Sequence, residues 1–339
     1  MKLFKSNVVF AIMVLTIFTA CNNSSKKTTS YIHNEGMAQG TYYSATYLQP
    51  NGKDLKAQLD SFFVAFDNSL STYNPKSVIS RINSNETDST DLYFREMFEA
   101  SQRIPVATAG AFDITVGPLV NAWGFGFKTG NTDSVNVKEL LPFVGYNKVK
   151  IENGKLVKQN KAMVLDASAI AQGYSADLIA ELFEKNGCEN YMIDIGGEIV
   201  CKGKNPKGTN WQIGVDKPID DPANENGELQ VVLNISNKAL TTSGNYRKFY
   251  YKNGKKFAHT IDPVSGYPVQ HDLLSATVVT DNCTDADAYA TAFMVMGREK
   301  AIELCNKTPG LECYLIYTDN DGKYQVVYSK GFEKYFVKK

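Results

Sequence analysis

The chain has 339 residues, with 36 basic against 36 acidic side chains, 43% apolar and 21% charged residues. That is globular composition, with enough apolar content for a large core and too much for a disordered chain. Balanced charge excludes a strongly basic nucleic-acid binder and an acidic tail, and no apolar run reaches the roughly 20 residues of a spanning helix.

The chain begins with a leader. Lys2 and Lys5 precede the 13-residue apolar run Val8 to Ala20, so residues 1–20 read as a secretory signal. The ending Phe18-Thr19-Ala20-Cys21 resembles a bacterial lipobox, which makes Cys21 the expected lipidated N-terminus; a plainly cleaved signal and an uncleaved anchor are the alternatives. Removing the leader leaves 34 basic against 36 acidic residues, a net charge of −2. Residues 21–36 then read as a flexible tether and 37–339 as one domain. Cys188, Cys201, Cys283, Cys305 and Cys313 lie in no CxxC, so isolated buried thiols are expected, with room for one bridge.

Tyr42 to Tyr47 alternates as a half-buried strand does. Leu55, Leu59, Phe62, Phe66 and Leu70 recur every three or four residues and predict a helix over 53–70. Further helices are expected over 91–103 and over 174–185, the latter stopping at Asn186-Gly187. Strands follow at 191–195, 211–215, 229–235 and 248–251, with a hairpin turn at Asn253-Gly254 into 256–261. After a strand at 273–280, Thr284 is the expected cap of a helix to Met296, and Gly297 separates it from a shorter helix through Cys305. Strands at 313–318 and 323–329 flank Asp319-Asn320-Asp321-Gly322. Helices early and hairpins late, without βαβ alternation, indicate an α+β fold with mixed, largely antiparallel sheets and flanking helices.

Several chemistries are missing: the chain has no GxxxxGK[ST], GxSxG or HExxH, and only three histidines. Six polar clusters in apolar surroundings remain. They are Ala111 to Val120 with Trp123 to Gly126, Leu165 to Tyr174, Asp194 to Glu198, Thr241 to Arg247, His259 to Pro268, and Asp285 to Ala292. In the last, Asp287 and Thr291 stand four apart on a helix and face the same way. A carboxylate plus a hydroxyl suits part of a magnesium site, which takes few protein oxygens and completes its shell with phosphate and water. The competing reading makes Asp287 a helix N-terminal residue, three after Thr284. Gly196-Gly197 allows a close ligand approach or is only a turn. His259, beside the turn Asp262-Pro263-Val264-Ser265-Gly266, is catalytic or structural, with His271 as the other candidate imidazole.

Together, in this order and spacing, the clusters resemble the ApbE family, the FAD:protein FMN transferases, from about Met37 to Tyr335. Met37 with Gly40-Thr41-Tyr42, and Ser71-Thr72-Tyr73-Asn74-Pro75 with Ser77 and Ser80, add to the likeness. The resemblance implies an ApbE-like α+β enzyme that binds FAD and Mg2+, cleaves the FAD pyrophosphate, and transfers FMN to a Thr or Ser hydroxyl of a partner protein, with AMP leaving. It implies the Ala169 carbonyl, Asp287 and Thr291 as metal ligands, and His259 as the catalytic base. Met37, Tyr73, Ala111, Phe112, Asp113, Asp166, Gln172 and the segment around Ile261 would line the FAD site. It also implies a lipid anchor on the periplasmic side of a bacterial membrane. Acceptors would be flavoprotein subunits of membrane redox complexes, of the sodium-translocating NADH:quinone reductase or RNF type. An FAD pyrophosphatase, with water as nucleophile, and a non-catalytic flavin-binding lipoprotein are the rival readings. Two departures stand out. Gln172 replaces a common Lys, so an amide hydrogen stands where a charge is usual. Met37-Ala38-Gln39-Gly40-Thr41 replaces Met-Gly-Thr, two residues longer.

Overall fold

The computed structural model describes residues 30–127, 135–218, 228–245, 249–252 and 254–337. The leader, Cys21, Tyr246-Arg247 and Asn253 lie outside them. The first half of the described chain runs through β1 (Ile32–Ala38), β2 (Thr41–Tyr47), α1 (Lys56–Leu70), α2 (Val78–Asn83), α3 (Leu92–Ala107), α4 (Gly117–Ala122) and α5 (Val137–Leu140). Next come β3 (Val149–Glu152), β4 (Lys155–Lys158), α6 (Ala171–Lys185), β5 (Tyr191–Ile195) and β6 (Glu198–Lys202). The remainder is β7 (Trp211–Asp216), β8 (Leu229–Ile235), β9 (Lys238–Gly244), β10 (Phe249–Lys252), β11 (Lys255–Ala258), β12 (Leu273–Thr280), α7 (Cys283–Met296), α8 (Arg298–Lys307), β13 (Glu312–Thr318) and β14 (Tyr324–Tyr328).

Eight strands form one sheet in the order β1-β2-β5-β6-β9-β12-β13-β14, and every neighbouring pair is antiparallel. Alternation sends successive side chains to opposite faces. On β12, Ala276 and Val278 pack with Phe293, Met294 and Leu315 under α7 and α8, whereas Val279 joins Trp211, Ile213, Leu233 and Phe332 beneath the β7–β8 hairpin. The largest core lies between the sheet and α1, α3 and α6. In α1, Leu59, Phe62, Phe63, Phe66 and Leu70 are buried, at the expected helical spacing.

Three expectations need correction. The tether does not run to residue 36, because β1 starts at Ile32 and pairs with β2 from Ile32↔Tyr47 to Ala38↔Thr41. Asn34 hides this strand from a hydropathy reading: it is polar yet buried, with Tyr47 donating to its carbonyl at 2.8 Å. His33 therefore belongs to a strand, with Nδ1 3.0 Å from Thr46 Oγ1. Helix α3 continues past Arg103 to Ala107, since Pro105 in its last turn interrupts only the end of the ladder. The cap of α7 is Asn282, whose side chain accepts from Asp285 N–H at 2.8 Å, and not Thr284. The five cysteines from Cys188 onward are buried free thiols.

Candidate functional site

The site is built where the N-terminus of α6 meets α7. Gly173 makes the meeting possible: a Cβ there would lie 2.3 Å from the Cys283 carbonyl oxygen and 2.8 Å from Asp287 Cβ. Its N–H, in the first turn of α6, donates to Asp287 Oδ2 at 3.1 Å. The usual acceptor four residues back is the Ala169 carbonyl, which thereby stays out of the helical ladder. Asp287 is only 5% exposed, and burial pushes its carboxyl up to about 7, against the Gly173 bond that lowers it; the charge of Asp177 raises it further. Thr291, one turn on, has its hydroxyl 3.3 Å from Ser243 Oγ on β9. The cap reading of Asp287 thus takes an unforeseen form, because the carboxylate caps the neighbouring helix, α6, and not its own.

The junction offers oxygen atoms: the buried Asp287 carboxylate, the Thr291 hydroxyl one turn on, and the Ala169 carbonyl just before α6. Among the described residues no three His, Cys, Asp or Glu gather as a metal cage. The set fits a hard divalent cation that keeps most of its shell for water and phosphate, and suits zinc poorly.

The sheet brings two turns to the same end. Gly196 N–H donates to the Tyr42 carbonyl at 3.1 Å, and Gly197 N–H to Asp194 Oδ1 at 2.8 Å. Burial raises the Asp194 carboxyl. In the β1–β2 turn, Gln39 adopts φ +52, and both its amide atoms are buried without a hydrogen-bond partner. Met37 stands 77% exposed on the edge strand two residues earlier. The turn therefore directs Gln39 inward. The sequence reading passed over it as an insertion; its position directly before Gly40-Thr41 was the available signal.

On the other side, a cavity of about 600 Å3 joins the first and fifth clusters, lined by Gly110, Asp113, Val144, Tyr146, Pro263 and Val264. Asp113 braces it: Oδ1 accepts from Thr115 N–H at 2.8 Å and its hydroxyl at 2.7 Å, and Oδ2 from Tyr146 N–H at 2.7 Å. Burial raises this carboxyl against those bonds. Ala111 is buried and Phe112 packs in the main core, so Phe112 supports the wall from behind. Asp166 N–H donates to the Ile114 carbonyl at 2.7 Å, which ties the second cluster to the first. Gln172 is half-buried in the first turn of α6. Tyr73 is 76% exposed. Ile261 packs with Leu119, Trp123, Val137 and Val144, so its side chain serves the core, and its backbone bridges to Pro268.

His259 follows β11 and is half-buried, its ring edge-on to Phe125 at 6.4 Å between centroids. The next residue, Thr260, donates to Asn245 Oδ1 at 2.6 Å, and Asn245 follows the end of β9 that carries Ser243. A short chain of contacts therefore links His259 to Thr291. His271 is exposed, with Nε2 2.8 Å from the Met294 carbonyl. A residue absent from the sequence reading completes the junction. Asp177 Oδ1 accepts from Cys283 N–H at 2.8 Å, and Oδ2 accepts from Thr284 N–H at 2.8 Å and Thr284 Oγ1 at 2.6 Å.

The clusters that converge here lie within the region matched by the ApbE family model, residues 39–315. The chain is similar to the FAD:protein FMN transferase of Haemophilus influenzae, at 34% identity over 95% of each chain. It is 33% identical to the protein of the same name from Escherichia coli K12, over 89% of this chain and 88% of that one. Its fold is similar to the flavin transferase ApbE of Vibrio cholerae, with TM-score 0.79 and 31% identity over 91% of this chain and 100% of the other. The apo flavinyl transferase ApbE of Pseudomonas stutzeri superposes at TM-score 0.81 and 27% identity, over 91% and 97%. Matched in sequence and architecture over most of its length, the chain belongs to the ApbE family.

Proposed function

We propose that the chain transfers FMN from FAD to a Thr or Ser hydroxyl of an acceptor protein and releases AMP, with Mg2+ held by the Ala169 carbonyl, Asp287 and Thr291. Flavin transfer is the activity that the relatives' names give. The observation that supports the metal reading is the buried Asp287 carboxylate at the α6–α7 junction, which accepts from Gly173 N–H and keeps acceptor capacity for a cation. When bound, Mg2+ would neutralise the diphosphate and orient it for in-line displacement. The acceptor oxygen bonds to the phosphorus of the FMN half as the P–O bond to AMP breaks, and the electron pair leaves with the AMP phosphate. His259 takes the acceptor proton. Gln172 gives amide hydrogens to phosphate oxygens, and the cavity beside Asp113 and Val264 houses part of the dinucleotide. A charged and apolar leader before Cys21 supports a lipid anchor on the periplasmic side of the membrane. Flavoprotein subunits of NADH:quinone reductase or RNF-type complexes are the proposed acceptors.

The test incubates the protein with FAD, Mg2+ and such a subunit, and reads FMN-labelled acceptor and free FMN by mass spectrometry. Labelled acceptor and AMP are expected. His259→Asn should bind FAD almost normally and label about 10²–10⁴-fold more slowly. Asp287→Ala should fold and lose metal-dependent transfer. Free FMN without label would identify a pyrophosphatase, and bound FAD with neither product a flavin store.

A further inference from the structure

We propose that Asp177 is a positioning residue that fixes α7 against the N-terminus of α6 and so sets the affinity of the metal site; this rests on the reading of Ala169, Asp287 and Thr291 as that site. The two helices exchange caps. In α6, the first-turn N–H of Gly173 ends on Asp287 of α7. In α7, the first-turn N–H groups of Cys283 and Thr284 end on Asp177 of α6. Each carboxylate stands four residues after the donor on its own helix, Asp177 after Gly173 and Asp287 after Cys283, so the exchange has an approximate two-fold symmetry.

The symmetry fails in a useful way. Asp177 accepts three hydrogen bonds, two from backbone N–H and one from the Thr284 hydroxyl. Asp287 accepts from Gly173 N–H. Three donors compensate one charge within the protein, whereas the other carboxylate keeps acceptor capacity for a cation. Asp177 therefore holds the N-terminus of α7 by its first two N–H groups, one turn before Asp287. A shift there moves Asp287 and Thr291 together relative to the Ala169 carbonyl, which stays with α6. Groups that orient metal ligands in this way typically change metal affinity 10–100-fold when altered.

Asp177→Asn tests it, because the amide presents a donor where Asp177 accepts from a backbone N–H. Mn2+ alone, followed by its electron paramagnetic signal, serves as the probe on the full chain with FAD present. The expected result is a folded variant that binds Mn2+ about 10–100-fold more weakly and regains transfer at saturating metal. Asp287→Ala should not regain it. Thr284→Val, which removes only the hydroxyl donor, should weaken Mn2+ several-fold and carries the test should Asp177→Asn not fold. Wild-type Mn2+ affinity in both folded variants, whatever their melting temperatures, overturns the positioning role. Unchanged Mn2+ affinity in Asp287→Ala would instead overturn the metal site itself.

Discussion

The two walls of the site are held by different means. At the α6–α7 junction, backbone meets backbone at Gly173, and carboxylates take N–H groups across the gap. In the cluster behind the loop cavity, which includes its lining residue Val144, rings stack instead. Trp123 lies 5.8 Å from Phe257 at 20°, Phe125 5.3 Å from Tyr250 at 25°, and Tyr250 5.5 Å from Phe257 at 14°. Gly266 closes that wall at φ +78, with Trp123 Nε1–H donating to its carbonyl at 2.9 Å. Direct backbone contact fixes position to fractions of an ångström, whereas ring packing fixes shape and yields to small changes. The first arrangement suits the proposed ion, whose ligands must be placed closely, and the second suits the bulk of the proposed dinucleotide.

Gly173→Ala should break the comparison hardest. Its Cβ cannot fit unless α6 and α7 separate, and overpacking of this kind costs about 1–3 kcal/mol, sometimes more. Transfer should fall further than stability suggests, by about 100-fold, since misplacement of about 1 Å has that effect on reacting groups. Melting and turnover measured together decide it; near-normal turnover would show that the helices can part without moving the site.

Trp123→Phe should act more gently. It removes the hydrogen bond to Gly266 but leaves an aromatic ring in the stack, at about 1 kcal/mol. KM for FAD should rise a few-fold with kcat nearly unchanged. A fall in kcat like that of Gly173→Ala would erase the difference between the walls.

The smallest effect lies at the far end of α6, where Lys202 Nζ sits 2.7 Å from Glu184 Oε1 on the surface. Lys202 holds the Glu184 carboxyl below its ordinary value, with Tyr191 assisting. A depressed carboxyl stabilises the fold above its unfolded pKa and loses that contribution as pH falls through the folded one. Lys202→Met should therefore cost under about 1 kcal/mol at pH 7. In urea titrations the gap from wild type should narrow as pH falls below the ordinary glutamate range and through the depressed value of the folded state.

Elements with one periodic apolar face were legible in the sequence: α1, α6, β5, β7 and β8 fall close to the predicted ranges, as does β12, apolar on both faces. Strands with polar interiors were not. In β9, Thr241, Thr242 and Ser243 read as a polar cluster because hydroxyls replace the apolar signal, and Thr242 instead meets Thr277 at 2.8 Å across the pair. The proposed ligand pair Asp287/Thr291 could be named because the two stand four apart on one helix. Asp177 could not, because its partners are backbone N–H groups more than 100 residues away, and a sequence records no backbone contact. Gln39 was obscured differently, since the Met of its motif draws attention to Met37 and away from the neighbour whose amide is buried without a partner.

The early start of β1 also limits reach. Between Cys21 and Ile32 lie ten residues, which at full extension span about 35 Å. The seven residues of β1 carry the chain about 23 Å further, to the turn at Gln39 and Gly40. With Cys21 lipidated as proposed, the folded domain begins no more than about 35 Å from its anchor. Height above the bilayer would then become a selection rule of its own: a hydroxyl displayed beyond the reach of tether and domain together would stay unmodified, however well its surroundings suit the pocket.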